Sequence, residues 1–443
     1  LKHNYDTPRH PVQPRHWRWL SQNVATALFL AASTLALSGV EPVSPSRAQA
    51  PPAHGPRQPQ MAPLRQEPLP GTALSANGPT AGSLLPPVDL SHLSENRLDA
   101  TILAGDLPDA FDWRDQNGKS YVTPAGDQRP CGACYAFAFL GQLEAKLLMD
   151  GAGQYDLSEN HAKECNWTAR SRFEYPPGSP WGNCSGGNSS MLANLFSQSG
   201  TVLESCDPYV GGDVGCNTTC PYQQTVLDWR LITAGPAPEP DVLKRYLYEH
   251  GPLSVSMFID LDGGFNPAYD GSFTLDYEVA PDRANHTVLL AGWSNRLPPV
   301  RGEAGPAEGW VLKNNWGPNW GDQGFFYVRY GAANIGAISS FVHRWQEYDP
   351  GGQLWHYDEG GWWHSWGCED TTAWALARFT APSDASIDRV EFWTTDATTD
   401  VDVFLYRDFD GDRLSGLLAS KLDSRFDEAG YHSVRLDTPI RVA

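Results

Sequence analysis

Seven of the eight cysteines fall between positions 131 and 220, and only Cys368 stands apart. Such density predicts a disulfide-stapled region in an oxidising compartment, because cytosolic thiols are kept reduced. Seven cannot all pair, so one thiol of the group is left over. Cys131 and Cys134 form a C-x-x-C with three meanings: a zinc half-site, a redox pair, or a structural cysteine beside a reactive one. A zinc site needs a second pair at matching spacing, and no further C-x-x-C follows. A thioredoxin-like pair needs a preceding βαβ pattern, and the upstream segment is rich in Pro, Gly and Asp instead. The third reading fits best.

The residues after Cys134 support it. In CYAFAFLGQLEAKLLM (134–149), Ala136, Leu140, Leu143 and Leu147 recur at helical spacing, and Tyr135 and Phe139 widen that face. Cys134 therefore opens a long buried helix, where unpaired backbone N–H groups and the helix dipole favour a thiolate. A thiolate nucleophile needs a base and a group to orient it. His286 opens an apolar strand-like run, HTVLLAGW, and WVLKNNWG (310–317) places an amide beside a tryptophan at the end of the next.

Together these segments resemble the papain-like cysteine peptidases. The resemblance rests on QRPCGACYAF (128–137), Asn285-His286 and KNNWG (313–317), with further matches at Asp112-Trp113-Arg114, Leu157-Ser158-Glu159, Cys184-Ser185-Gly186-Gly187 and WGDQG (320–324), in family order over about 107–343. His286 lies 152 residues after Cys134 and Asn314 lies 180 after it, the second distance being stretched by a surface loop at 297–308. The resemblance implies Cys134 as nucleophile, His286 as its ion-pair partner and later proton donor, and Asn314 as orienter of the imidazole. It implies Gln128 as an oxyanion donor, Trp316 as cover over the Asn–His bond, and Gly186, Gly187 and Asn285 along the substrate backbone. It also implies the disulfides Cys131–Cys184 and Cys165–Cys216, which leave Cys206 to pair with Cys220. Cys134 stays free, and Cys368 has no assigned partner. The family's long helical inhibitory propeptide has no counterpart in the Pro-rich residues 51–106. No adjacent His pair inside a Cys-bounded loop points to exopeptidase action, so an endopeptidase is expected. No metal or cofactor is expected.

Composition sets the surroundings. The chain has 443 residues and a net charge of −20, against a nucleic-acid or anionic-membrane partner. Residues 1–50 alone are basic, with five Lys/Arg against two acids. Arg15 and Arg18 precede an apolar run at 24–40, and Ala48-Gln49-Ala50 reads as a cleavage site, so 1–50 is expected to be a signal peptide and the mature chain to be free of the membrane. A linker at 51–88 and a short pro-segment or N-terminal strap at 89–106 lead into a peptidase domain at 107–344.

The expected fold class is α+β: a two-lobed catalytic domain, with a helical half facing a β-rich half, followed by an antiparallel β-sandwich. The turn-rich QEYDPGG (346–352) marks the junction, and 345–443 alternates as short strands, with Val401, Val403 and Leu405 on one face. This second region resembles the lectin-like sandwich appended to some secreted prokaryotic peptidases of the family, and on this reading its last strand is cut short at Ala443. Trp362, Trp363, Trp366 and Trp374 are read as packing residues rather than a sugar platform. DFDGD (408–412) is read as a hairpin turn rather than a calcium loop. The expectation is a secreted or extracytoplasmic cysteine endopeptidase acting on proteins or peptides, with a glycan or cell-surface ligand open to its C-terminal domain. The alternative is a catalytically weakened adhesion or glycan-binding protein using that domain.

Overall fold

The computed structural model describes residues 107–442 apart from 172–181, 261–264, 266, 282, 363–365, 368–371 and 382, together with 26–28, 60–61, 82–83, 90 and 93. The expected cleavage motif at 48–50, Trp363 and Cys368 lie outside these residues.

The helical half is built on α1 (Cys134–Met149), α2 (Glu159–Cys165), α3 (Trp167–Ser171) and α4 (Ser189–Gln198). Ser158 caps α2 by accepting from the His161 N–H, and Asn188 caps α4 by accepting from the Met191 N–H. Helix α1 is buried on nearly every side, wider than the single apolar face its spacing predicts. Two of its buried polar residues take backbone partners: Gln142 Oε1 accepts from the Val342 N–H at 2.9 Å and Glu144 from the Leu157 N–H at 2.8 Å. Helix α5 (Pro240–His250), which starts on a proline, turns Val242, Leu243, Tyr246 and Leu247 inward on the β-rich side.

Two short strands come first in the chain, β1 (Thr26–Leu28) and β2 (Gln60–Met61). The β-rich half carries β3 (Ala110–Asp112), β4 (Gln224–Ala234), β5 (Leu253–Met257), β6 (His286–Leu297), β7 (Ala307–Lys313), β8 (Phe325–Arg329) and β9 (Ile338–Glu347). The C-terminal region adds β10 (Trp366–Gly367), β11 (Ala385–Thr394), β12 (Thr399–Phe409), β13 (Leu414–Phe426) and β14 (Ala429–Val442). The main antiparallel sheet runs β11-β14-β4-β9-β5-β6-β7-β8, with β3 also on β6; β1 joins β12 and β13, and β2 pairs with β10. Strands β6 and β7 extend into the segment expected as a loop, shortening the connection to 298–306.

The separate sandwich expected at the C-terminus is the main point of difference. Val401, Val403 and Leu405 of β12 do pack against Val390 and Val434 as a sandwich core. One of its two sheets, however, is continuous with the peptidase. Ala429, Gly430 and Tyr431 pair with Leu231, Arg230 and Trp229 of β4. Gly430, at φ +143°, makes that approach: a Cβ there would lie 2.1 Å from the Trp229 carbonyl oxygen. Trp362 stacks on Trp393 at 5.4 Å and meets Trp229 edge-on at 6.3 Å, so it belongs to shared packing, as read from the sequence. Half-buried Arg230 then joins Asp228 (3.1 Å) to Glu428 of the C-terminal region (2.8 Å), and Glu428 also accepts from the Tyr246 hydroxyl (2.9 Å). Ion pairs satisfied this way at a joint are costly to break one partner at a time.

Candidate active site

The site lies between the end of α1 and the ends of β6 and β7. Cys134 is the first residue of α1, behind Ala133, which makes no side-chain cap. The Tyr135 N–H and the N–H and hydroxyl of Thr287 point at its sulfur. His286 opens β6 opposite Met257 of β5, and Asn314 directly follows β7, its own N–H donating to Gly324 O at 2.9 Å. The His286 Nε2–Asn314 Oδ1 distance is 2.8 Å, and both residues are fully buried. An amide oxygen only accepts, so Nε2 carries the proton and the lone pair sits on Nδ1. Nδ1 is buried without a hydrogen-bond partner among the described residues.

Trp316 tilts over this pair, its ring 5.9 Å from the imidazole, and Phe265 stands edge-on to both at 5.0 and 6.2 Å. These rings roof the Asn–His bond. Asn315 Nδ2 donates to Thr287 O at 2.8 Å and so pins β6 beside its neighbour. Gln128 is buried, its N–H bonded to Asn315 O (2.8 Å), and its side-chain amide donates to Cys131 O at 2.8 Å.

Disulfides join Cys131–Cys184, Cys165–Cys216 and Cys206–Cys220, and Cys134 is the free thiol among the described residues. Gly132 N–H donates to Cys184 O at 3.0 Å, so the floor beneath Cys134 is tied both covalently and by backbone.

A part of the chain lies across this site. The Gly187 N–H donates to Gly82 O at 2.9 Å, and the Ser83 N–H donates to Asn285 O at 3.1 Å. Ser83 forms a parallel bridge with Gly187, and the Gly82 N–H points at the Cys134 sulfur. Gly187 and Asn285, expected along a substrate backbone, thus hold the chain's own backbone, and Gly186 flanks it. Leu90 and Leu93 anchor the segment further on, buried in the helical-half core with Phe139 and Phe196. The strap therefore reaches seven residues earlier than the 89–106 segment expected from sequence.

Covering the pair changes its charge state. Burial pushes the Cys134 thiol up to about 11, against the hydrogen bonds from Thr287, Gly82 and Tyr135. Burial takes His286 down to about 4, against its bond to Asn314. At neutral pH the covered pair is thus thiol and neutral imidazole. The thiolate expected from the helix N-terminus gives way to desolvation in this form.

In the C-terminal region Asp410 accepts from the Asp412 and Arg413 N–H groups, which makes DFDGD a turn. A different trio, Asp400, Asp402 and Asp423, brings carboxylate oxygens within 4.8 Å of one another, beside Arg425 at 3.7 Å from Asp400.

Residues 107–344 match the model of the papain family of cysteine proteases, and residues 354–443 match that of a lectin-like domain. The chain belongs to the papain family of cysteine proteases. Among its curated relatives, cysteine proteinase 15A of Pisum sativum is 30% identical over 239 residues, covering 53% of this chain and 61% of that protein. A cathepsin L-like proteinase of Fasciola hepatica is 27% identical over 239 residues, covering 53% and 64%. The chain thus spans about six tenths of the length of these relatives. Among solved structures, digestive procathepsin L2 of Tenebrio molitor larval midgut aligns with a TM-score of 0.46 at 22% identity, covering 60% of this chain and 78% of that one.

Sequence reasoning missed Thr287, Phe265 and the Gly82–Ser83 strap. Thr287 follows His286 directly, and its place in the strand was the available signal. A Gly-Ser pair in a Pro-rich stretch carries none.

Proposed function

We propose that the chain is a secreted cysteine endopeptidase held latent by its own Gly82–Ser83 segment. The observation that carries the reading is the buried Asn314–His286 bond at 2.8 Å beside the free thiol of Cys134 at a helix N-terminus. With the strap displaced, water and a substrate reach the pair, and the desolvation that favours its neutral form is relieved. His286 Nδ1 takes the thiol proton, and the thiolate attacks the scissile carbonyl carbon. The oxyanion is met by the Gln128 amide and the Cys134 N–H. The C–N bond breaks as the imidazolium protonates the leaving amine, giving an acyl-enzyme thioester. Water, its proton passing to His286, then releases the acid and restores the thiol.

The substrate's extended backbone would bond to Gly187 and Asn285, as the strap does. The glycine at 187 leaves room for it. The leader sequence and the three disulfides support an extracytoplasmic location. The C-terminal domain would take a glycan or cell-surface ligand. Exposed Trp374 and Tyr357, the latter stacked on Phe379 at 4.8 Å, are the aromatic surfaces available there. The adhesion alternative is disfavoured by the His286–Asn314 bond at 2.8 Å and by the free thiol of Cys134. Labelling with a thiol-directed epoxide, with and without Cys134, tests the proposal: labelling and peptide hydrolysis should both vanish in Cys134→Ala, and hydrolysis that survives would refute it.

A further inference from the structure

Three chain segments bring the reacting groups together, and they meet at one buried point away from the chemistry. Helix α1 starts at Cys134 and carries Glu144 ten residues on, about 15 Å along its axis. The segment that ends in Gln128 passes Thr123. Strand β7 ends in Lys313, the residue before Asn314. The Thr123 hydroxyl donates to Glu144 Oε2 at 2.6 Å. Lys313 Nζ donates to that same hydroxyl oxygen at 3.2 Å and to the Thr123 carbonyl at 3.1 Å, with Pro124 O at 3.5 Å. All three side chains are buried. The ammonium passes α1 at Gly141, where a Cβ would stand 3.1 Å from Nζ, a tight approach that the lysine end would have to yield to.

We propose that Lys313, Thr123 and Glu144 form a brace that sets the catalytic geometry, fixing the arms bearing Cys134, Gln128 and Asn314–His286 relative to one another. They are positioning residues, since none of them touches a reacting atom. The threonine hydroxyl is the hinge pin: it accepts from the ammonium and donates to the carboxylate, so one oxygen ties two walls of the cleft. Half-buried Glu159 lies within electrostatic reach of Glu144 and Lys313, and desolvation holds its carboxyl well above the usual carboxylate range. A change of a fraction of an ångström at this point tilts α1 and lengthens the reach from thiol to imidazole. Misplacement of about 1 Å in such a pair costs on the order of 100-fold in rate.

The inference rests on Cys134 and His286 being the catalytic pair. Its test uses the full chain with the covering segment lifted by Gly82→Val, whose Cβ would stand 1.9 Å from Gly132 O, as the reference, and rates expressed per active site titrated by a thiol-directed epoxide. The double variant Lys313→Met with Glu144→Gln removes both charges at near-constant volume, so no lone buried charge remains. The expected result is an unchanged KM, a kcat lowered by about 10- to 100-fold, and an acid limb of the kcat/KM profile moved to higher pH, because a loosened pair forms its thiolate less readily. Thr123→Val should show the same split, and Thr123→Ser, which keeps the hydroxyl, should restore kcat and profile. A folded double variant with the reference kcat and profile overturns the brace, as does a loss confined to melting temperature. If the double variant does not fold, the Thr123 pair decides by the same readouts. Activity in Cys134→Ala would strike the catalytic reading itself. A dead Cys134→Ala beside a normal double variant would strike the brace alone.

Discussion

Replacing Gly82 by valine would open the cleft from outside. A Cβ on Gly82 would stand 1.9 Å from Gly132 O, 2.4 Å from its carbonyl carbon and 2.8 Å from its Cα. All three are backbone atoms, and Gly132 is held by its bond to Cys184 O and by the adjacent Cys131–Cys184 bridge. The floor cannot yield, so the strap must lift. It then loses the bonds from Gly187 to Gly82 and from Ser83 to Asn285. At a net of about 0.5–1.5 kcal/mol each, the covered form is weakened by about 1–3 kcal/mol. That raises the open population roughly 5- to 150-fold, at about 1.4 kcal/mol per decade. The assay is the second-order rate of Cys134 alkylation by iodoacetamide in the full chain at pH 6, followed by intact mass. Gly82→Val should react faster than wild type by a factor in that range. An unchanged rate, with Cys134 still slow, would show that the segment does not guard the thiol.

Acidification should loosen the same cover. His286 is held at about 4 in the covered form against an ordinary 6.5, so the covering stability present above pH 6.5 is lost as pH falls toward 4, by up to about 3 kcal/mol; alkylation of the full chain should therefore speed up between pH 6.5 and 4.5, opposite in sign to a simple thiol. The Cys134 shift acts at the other end, its contribution being lost as pH rises from 9 through about 11. Glu428→Ala leaves Arg230 and the Tyr246 hydroxyl short of a buried partner and should cost about 3–5 kcal/mol, read as a fall in urea midpoint; a change under 0.5 kcal/mol would refute the joint's role. Opening Cys206–Cys220 by a Cys→Ser pair frees a loop of 14 residues and should cost about 3 kcal/mol by chain entropy, again checked by urea melts.

The sequence was most legible where chemistry demands a residue type at a fixed place. A cysteine at a helix start, a histidine opening a strand and an amide closing the next have local signatures, and the last two meet at 2.8 Å as their strands pack. The helices were legible through apolar spacing, although α1 is enclosed on sides where Gln142 and Glu144 read as exposed polar positions. Those two are silent in sequence because their partners, Val342 and Thr123, lie 200 and 21 residues away. The union of β14 with β4 was hidden for the same reason. Strand alternation reveals which face is buried and not which edge is taken, and Trp229 reads as an ordinary core residue until Tyr431 lies beside it. Backbone pairing of the strap leaves no trace in side-chain pattern, since any sequence able to lie flat could make those bonds.

Continuity of the main sheet through Ala429–Tyr431 also bears on how such a protein could be assembled from parts. A module joined by a tether can be exchanged for another with little regard to its host. Here the accessory module supplies ladder partners to β4, a ceiling of Trp362 and Trp393 over Trp229, and a carboxylate for Arg230. A chimera made by cutting at the turn near 350 would inherit an unpaired strand edge and an uncovered tryptophan on one side, and a stranded acid on the other. Recombination between homologues would succeed only where Trp229, Arg230, Glu428 and Gly430 travel as a set, so the two modules are expected to share a single lineage.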